Sequence, residues 1–224
     1  INYRRIINEK KNRILITGGA GYIGSQLSTR LVELGYKVTV IDILKFNKNS
    51  ILHLLSKKNF KLICGDTRNK KLLDRELKIN DIIIPLAALV GAPLCEKFPK
   101  LAKELNFNII KYILSKINKY QKVIYPNTNS GYGIGKKNSY CTEESDLNPI
   151  SLYGRTKVDA ERLILNHKNS VVFRLATVFG FSYRMRTDLL VNFLVHKAVT
   201  KKILEIFQPN FRRNYIHVSD VVEA

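Results

Sequence analysis

Residues 14–27 read ILITGGAGYIGSQL. An apolar, β-branched run meets a cluster of glycines, then an apolar pattern at helical spacing. Gly19, Gly21 and Gly24 form G-x-G-x-x-G, and Gly18 adds an overlapping G-x-x-G-x-x-G. Glycines here let a strand turn sharply into a helix while the backbone approaches a pyrophosphate. The helix start then meets the negative charge with free N–H groups and the positive end of its dipole. A lone G-x-G-x-x-G is a weak signal. Here a strand precedes it, a helix follows it, and an acid closes the next strand. That acid is Asp42, at the end of KVTVID. A carboxylate there suits the adenosine ribose hydroxyls and disfavours a 2′-phosphate, so NAD is expected over NADP. Lys45 lies close by, and the bland reading of Asp42 is a turn cap.

The rest of the chain alternates in the same way. Strand-like runs stand at 13–17, 37–41, 60–64, 81–89, 122–126 and 170–176. Helical patterns lie between them, through Leu34, from about Pro99 to Ile117, and from about Ser151 to Asn166. The strands are short and continuously apolar, as in a parallel sheet covered on both faces. The expected fold is α/β, a doubly wound Rossmann parallel sheet over residues 1–180. After Phe179-Gly180 the pattern changes, and residues 181–224 read as the start of a smaller C-terminal substrate-binding domain.

The chain has 224 residues, 45% of them hydrophobic, and a formal net charge of +20. No apolar run reaches the roughly 20 residues of a membrane helix. The start, INYRRIINEKKNR, lacks the apolar core of a signal peptide and opens without Met. Cys64, Cys95 and Cys141 stand far apart, with no C-x-x-C, so neither a disulfide framework nor a zinc site is expected. His53, His167, His196 and His217 have no ligand spacing, and no metal is expected. A reducing cytoplasm fits this composition. The positive field attracts anions such as phosphorylated small molecules. Lysines are dispersed and no arginine-rich run interleaves with aromatics, so nucleic acid is not the expected partner.

SLYGRTKVDAERL places Tyr153 and Lys157 four residues apart, one turn apart on a helix face. A neighbouring ammonium and an oxidised nicotinamide would both favour phenolate, so Tyr153 can take a proton from a hydroxyl while hydride leaves the same carbon. Y-x-x-x-K is common by chance; after a dinucleotide loop in this order it is informative.

With TGGAGYIG, CGD at 64–66, LAALVGAP at 86–93, Asn106, NTNSGYG, YGRTK, FRLATVFG and RRNYIHVSDVV, the chain resembles the extended short-chain dehydrogenases/reductases that act on nucleotide sugars. The resemblance implies a catalytic triad of Thr128, Tyr153 and Lys157. It implies tightly bound NAD held by Gly18, Gly21, Tyr22, Ile23, Gly24, Asp42, Asp66, Thr67, Leu86, Ala87, Ala88, Asn106, Tyr153 and Lys157. Asp66 matches an adenine contact. Ala87, Ala88 and Val90 match the wall near the nicotinamide ribose. Asn106 matches a buried polar brace that reaches the lysine through water. Asn129, Ser130, Thr177, Arg186, Asn192 and Arg213 match substrate contacts, with Asn192 and Arg213 on the diphosphate. Arg184 and Arg212 are either helpers or solvated surface.

Family dehydratases carry Asp and Glu where Asn129 and Ser130 stand, and these cannot run the acid–base work of water elimination. Oxidation at C4 remains, alone or within epimerisation. IIPLAALVGAPLC and YPNTNSGYGIG resemble a narrower branch, the GDP-heptose 4-dehydrogenases of bacterial capsule-sugar biosynthesis. That branch implies a GDP-manno-heptose-like substrate. The family implies a homodimer or higher homo-oligomer, with dimers formed through the 99–117 and 151–166 helices, and a chain that continues past Ala224, so an incomplete sugar pocket is expected. The rival class is a non-catalytic NAD-binding module.

Overall fold

A computed structural model describes residues 12–46, 48–135, 140–207 and 209–224. The N-terminal stretch 1–11, where no leader was expected, lies outside them. The six expected strands are β1 (Arg13–Thr17), β2 (Lys37–Asp42), β3 (Phe60–Cys64), β4 (Ile82–Pro85), β5 (Lys122–Thr128) and β6 (Ser170–Leu175). They form one parallel sheet in the order β3-β2-β1-β4-β5-β6. The order reverses beside β1, which opens a crevice between the carboxyl ends of β1 and β4, where ligands of such sheets bind. Register brings those ends level, with Thr17 opposite both Ile41 and Pro85.

Alternate residues of each strand point to opposite faces, and both faces are covered. On one, Leu15, Ile41, Ile83, Val123 and Tyr125 pack against Leu73 and Leu77 of α2 (Lys70–Leu77). Ile109, Ile110 and Ile113, and Ala160 and Ile164, cover the same face from two further helices. On the other face, Ile14, Ile16, Val38, Val40 and Ile84 pack against Val32 of α1 (Tyr22–Glu33), with Ile51 and Leu54. Gly24, Ser25 and Ser28 are the buried small residues that let α1 sit close to the sheet.

Two sequence expectations change in detail. The strand expected over 81–89 ends at Pro85, and 86–90 runs on as irregular backbone. The helix expected over 99–117 is broken into α4 (Pro99–Lys103), a π-turn (Glu104–Asn108) and α5 (Ile109–Lys116), after a short α3 (Ala92–Lys97). The helix around 151–166 is α6 (Leu152–Leu165), capped by Ser151, whose hydroxyl accepts from Gly154 N.

Beyond the sheet, β7 (Thr177–Phe179) pairs in parallel with β8 (Tyr215–His217), on either side of α7 (Leu190–Lys201). α8 (Val218–Glu223) returns to α1, where Arg30 and Glu223 form an ion pair at 2.6 Å. The intervening chain is pinned across α1. Tyr22 Oη donates to Gly180 O at 2.7 Å, Gln26 Nε2 to Phe181 O at 2.9 Å, and Ser182 Oγ to Tyr22 O at 2.6 Å. Among the described residues no helix is long and apolar enough to cross a membrane.

Candidate active site

The glycine turn is built by close approach. Gly18 has φ +74°, and a Cβ on it would stand 2.6 Å from Ala87 N across the β1–β4 crevice. A Cβ on Gly24 would stand 2.4 Å from Gly18 O. Both positions exclude a side chain, and the turn closes with Gly21 N on Gly18 O at 3.0 Å. α1 then starts with no side-chain cap at Gly21 and no acid in its first turn. That start suits an anion, and a pyrophosphate fits its geometry. Asp42 accepts from Ala20 N at 3.0 Å and from Leu44 N at 2.8 Å, so its carboxylate is held against the glycine turn. Each oxygen keeps lone-pair capacity for a hydroxyl. Ile23 is half-buried behind the turn, whereas Tyr22 points inward.

The opposite wall is 86–90. Leu86 N donates to Thr17 O at 2.9 Å and Ala87 N to Thr17 Oγ1 at 3.4 Å. Ala88 follows half-buried and Val90 exposed. Asn106 is 1% exposed, and its amide closes on Leu89, accepting from N at 2.8 Å and donating to O at 3.0 Å. It also reaches Thr156 Oγ1 at 3.3 Å. Asn106 lies in the π-turn, and its direct contacts clamp the wall at Leu89. At the end of β3, Asp66 pairs with Arg68, Oδ2 to Nη2 at 2.6 Å, and that hydrogen-bonded guanidinium lowers the Asp66 pKa. Thr67 is buried beside it.

Thr128 ends β5, and its hydroxyl accepts from Ser130 N at 3.2 Å and donates to Ser130 Oγ at 3.1 Å. Tyr153, on the first turn of α6, stands near enough for this hydroxyl to favour its phenolate. Burial pushes the Tyr153 phenol up to about 12, reinforced by Cys95 and opposed by Arg186 and by the Thr128 hydroxyl. The expected fall in this pKa is therefore absent from the polypeptide alone. Lys157 instead sends its ammonium to Pro126 O at 3.0 Å and over the Tyr125 ring at 3.8 Å. Lys157 is 5% exposed, and burial lowers it to about 7, opposed by the charge of Glu161.

The residues expected to touch substrate divide into two groups. Asn129 Nδ2 donates to Asn214 Oδ1 at 2.8 Å, and Thr177 N donates to Asn214 O at 3.1 Å, so the β5 turn and the β7–β8 pair meet there. Arg186 pairs with Asp188 at 3.0 Å through Nε, and its charge acts on both Tyr153 and Tyr22. Asn192 is turned inward. It donates to Tyr22 Oη at 3.2 Å and to Arg186 O at 2.9 Å, and accepts from Gly180 N at 2.9 Å. Both its donors are thereby engaged by protein. Arg213 is exposed on the approach to β8. Arg184 stacks on Phe46 at 4.5 Å.

A buried polar set beneath the triad was not anticipated. Glu161, 2% exposed, binds Arg174 and Asn127, and Tyr125 carries a buried hydroxyl with no hydrogen-bond partner among the described residues. The spacing of Glu161, four residues after Lys157, was the available signal.

Known proteins resemble this chain in sequence and fold. A dTDP-D-glucose 4,6-dehydratase of Dictyostelium discoideum is 30% identical over 95% of this chain and 54% of its own length. Protein CapI of Staphylococcus aureus is 28% identical over 95% of this chain and 67% of its own. The solved UDP-glucuronic acid 4-epimerase from Bacillus cereus, in complex with UDP-glucuronic acid and NAD, superposes with a TM-score of 0.80 at 29% identity, covering 94% of this chain and 70% of that one. The chain thus spans about half the length of the first and about two thirds of the others. A family model described as NAD dependent epimerase/dehydratase family matches residues 14–224. With that match running from β1 to the last residue, this chain belongs to the NAD dependent epimerase/dehydratase family.

Proposed function

We propose that the chain carries the NAD site and the proton-transfer residues of an enzyme that oxidises C4 of a nucleotide sugar. The observation that carries this is Tyr153 beside the Thr128 hydroxyl at the end of β5, with Lys157 one helical turn behind it. The glycine turn, Asp42 and the wall clamped by Asn106 form the cofactor cradle in this reading, with residues 1–180 as its domain and 181–224 as the start of the sugar-nucleotide domain. Bound NAD supplies the hydride acceptor and a positive ring charge that favours the Tyr153 phenolate. Thr128 orients the sugar hydroxyl, Tyr153 receives its proton, and Lys157 steadies the phenolate and the adjoining ribose. Arg186, Arg213 and Thr177 line the substrate side.

For the substrate, the strings at 83–95 and 125–135 favour a GDP-manno-heptose-like sugar and net 4-dehydrogenation, in bacterial surface-polysaccharide synthesis. The second reading is a 4-epimerase, in which the same oxidation is transient; the Bacillus cereus structure supports it. Dehydratase chemistry is disfavoured: Asn129 is tied to Asn214, Ser130 to Thr128, and neither exchanges protons at neutral pH. A cytoplasmic homodimer is the assembly inferred.

The test mixes protein and NAD with a panel of GDP-, UDP- and dTDP-sugars, follows NADH absorbance, and identifies products by mass and NMR. Net NADH with a product two hydrogens lighter supports a 4-dehydrogenase. An isomer of unchanged mass supports the epimerase. Bound NAD with no conversion of any sugar overturns the enzymatic reading in favour of a binding module.

A further inference from the structure

Tyr153, Lys157 and Glu161 recur every four residues on α6 and so share one face, a turn apart. Each meets one of three consecutive residues at the end of β5. Tyr153 faces Thr128, whose hydroxyl acts on it, Lys157 Nζ donates to Pro126 O at 3.0 Å, and Asn127 Nδ2 donates to Glu161 Oε2. The other Glu161 oxygen accepts from Arg174 Nε at 2.9 Å and Nη2 at 2.7 Å. Arg174 lies on β6 directly opposite Asn127 in the sheet register. Its remaining nitrogen donates to Tyr132 Oη at 3.1 Å and Glu143 O at 2.9 Å, which ties in the turn after Thr128.

We propose that Glu161, anchored by Arg174, is a positioning residue for the reaction: it fixes the strand end that carries Thr128 against the helix that carries Tyr153 and Lys157. The proposal rests on the enzymatic reading above and adds a residue to it. A fold-stabilising ion pair alone would need neither the Asn127 contact nor the shared helix face. A second effect follows from the same geometry. The Lys157 ammonium lies over the Tyr125 ring of β5, with Tyr153 and Glu161 one turn before and after it on α6; Arg174 of β6 holds Glu161, while Cys95 of α3 and Arg186 after β7 act on Tyr153. Of these, Glu161 is the charge that acts on Lys157, and it favours the ammonium. Glu161 therefore serves both the geometry and the charge of the lysine.

Glu161→Gln is the test variant. Gln still accepts from Arg174, and Asn127, whose Oδ1 has no partner, can turn over to accept from the new amide. Lysine labelled with ¹³C at Cε is titrated by NMR in NAD-free wild type and variant. The Lys157 signal is expected to titrate about one unit lower in Glu161→Gln and to return toward wild type in Glu161→Asp. With a sugar that wild type converts, kcat is expected to fall about tenfold or more, with the alkaline limb moved to lower pH and NAD affinity little changed. A folded Glu161→Gln with wild-type Lys157 titration, kcat and pH profile overturns the proposal. If Glu161→Gln does not fold, the paired variant Glu161→Gln with Arg174→Met, which leaves no lone buried charge, carries the same titration. If wild type converts no sugar, the enzymatic reading fails, and the titration alone decides whether Glu161 governs Lys157.

Discussion

Lys157 has its pKa lowered to about 7, because burial disfavours the ammonium. The unfolded value lies near 10.5, so between about pH 7 and 10.5 the unfolded chain holds a proton that the folded chain has lost. Stability contributed at this site therefore rises with pH across that window, and below pH 7 the full cost of burying the ammonium is present. In urea titrations from pH 6 to 9, wild type is expected to gain stability relative to Lys157→Met; parallel curves would refute the shift. Tyr153 makes a separate test. Tyr153→Phe is expected to keep NAD binding by calorimetry and to lose turnover by about a hundredfold or more. The Tyr–Lys pair was legible because both residues lie four apart in one helix behind a glycine loop. Glu161 was not, because a Glu in a helix usually faces water, and only tertiary packing reveals one buried between a strand amide and an arginine.

The strand–turn–helix unit at 13–33 was legible almost to the residue, since its glycines and the apolar run before them leave the backbone few alternatives. The π-turn at 104–108 was hidden, because one inserted residue leaves the apolar spacing of ELNFNII readable as an ordinary helix. Its effect on the site is direct, because it aims Asn106 at Leu89. Asn106→Ala is expected to leave the Leu89 N–H without its partner and the Leu89 carbonyl with the Cys95 thiol alone, loosening the 86–90 wall and weakening NAD binding by roughly tenfold. Calorimetric titration with NAD checks this. Gly24→Ala sets a methyl against Gly18 O, so it is expected to abolish NAD binding and to destabilise the protein by about 1–3 kcal/mol, read by thermal unfolding with and without NAD.

Across the whole chain, the sheet and its two helical layers followed from alternation alone, whereas the strap over α1 did not. The bonds from Tyr22, Gln26 and Ser25 to residues 180–182 join positions more than 150 apart in sequence, and nothing local announces them. They couple the glycine turn to the segment bearing Arg186, through Asn192. Tyr22→Phe removes the hydroxyl that both Gly180 and Asn192 use. It is expected to raise amide exchange at 180–186 together with the first turn of α1, measured by hydrogen exchange and mass spectrometry. Charge also acts at this level. A net +20 raises the local concentration of anionic ligands, so association with nucleotides is expected to slow steeply as salt increases, while the rate of dissociation changes little.

The face of α6 has an evolutionary reading. Tyr153, Lys157 and Glu161 project from one helix, while Asn129 and Ser130 sit on a separate turn at the end of β5. In the proposed reaction, substitutions on that turn would redirect the fate of the oxidised sugar and leave the Tyr153–Lys157 pair in place. A lineage built this way can diversify its products by editing two neighbouring codons, and inherit its proton chemistry unchanged.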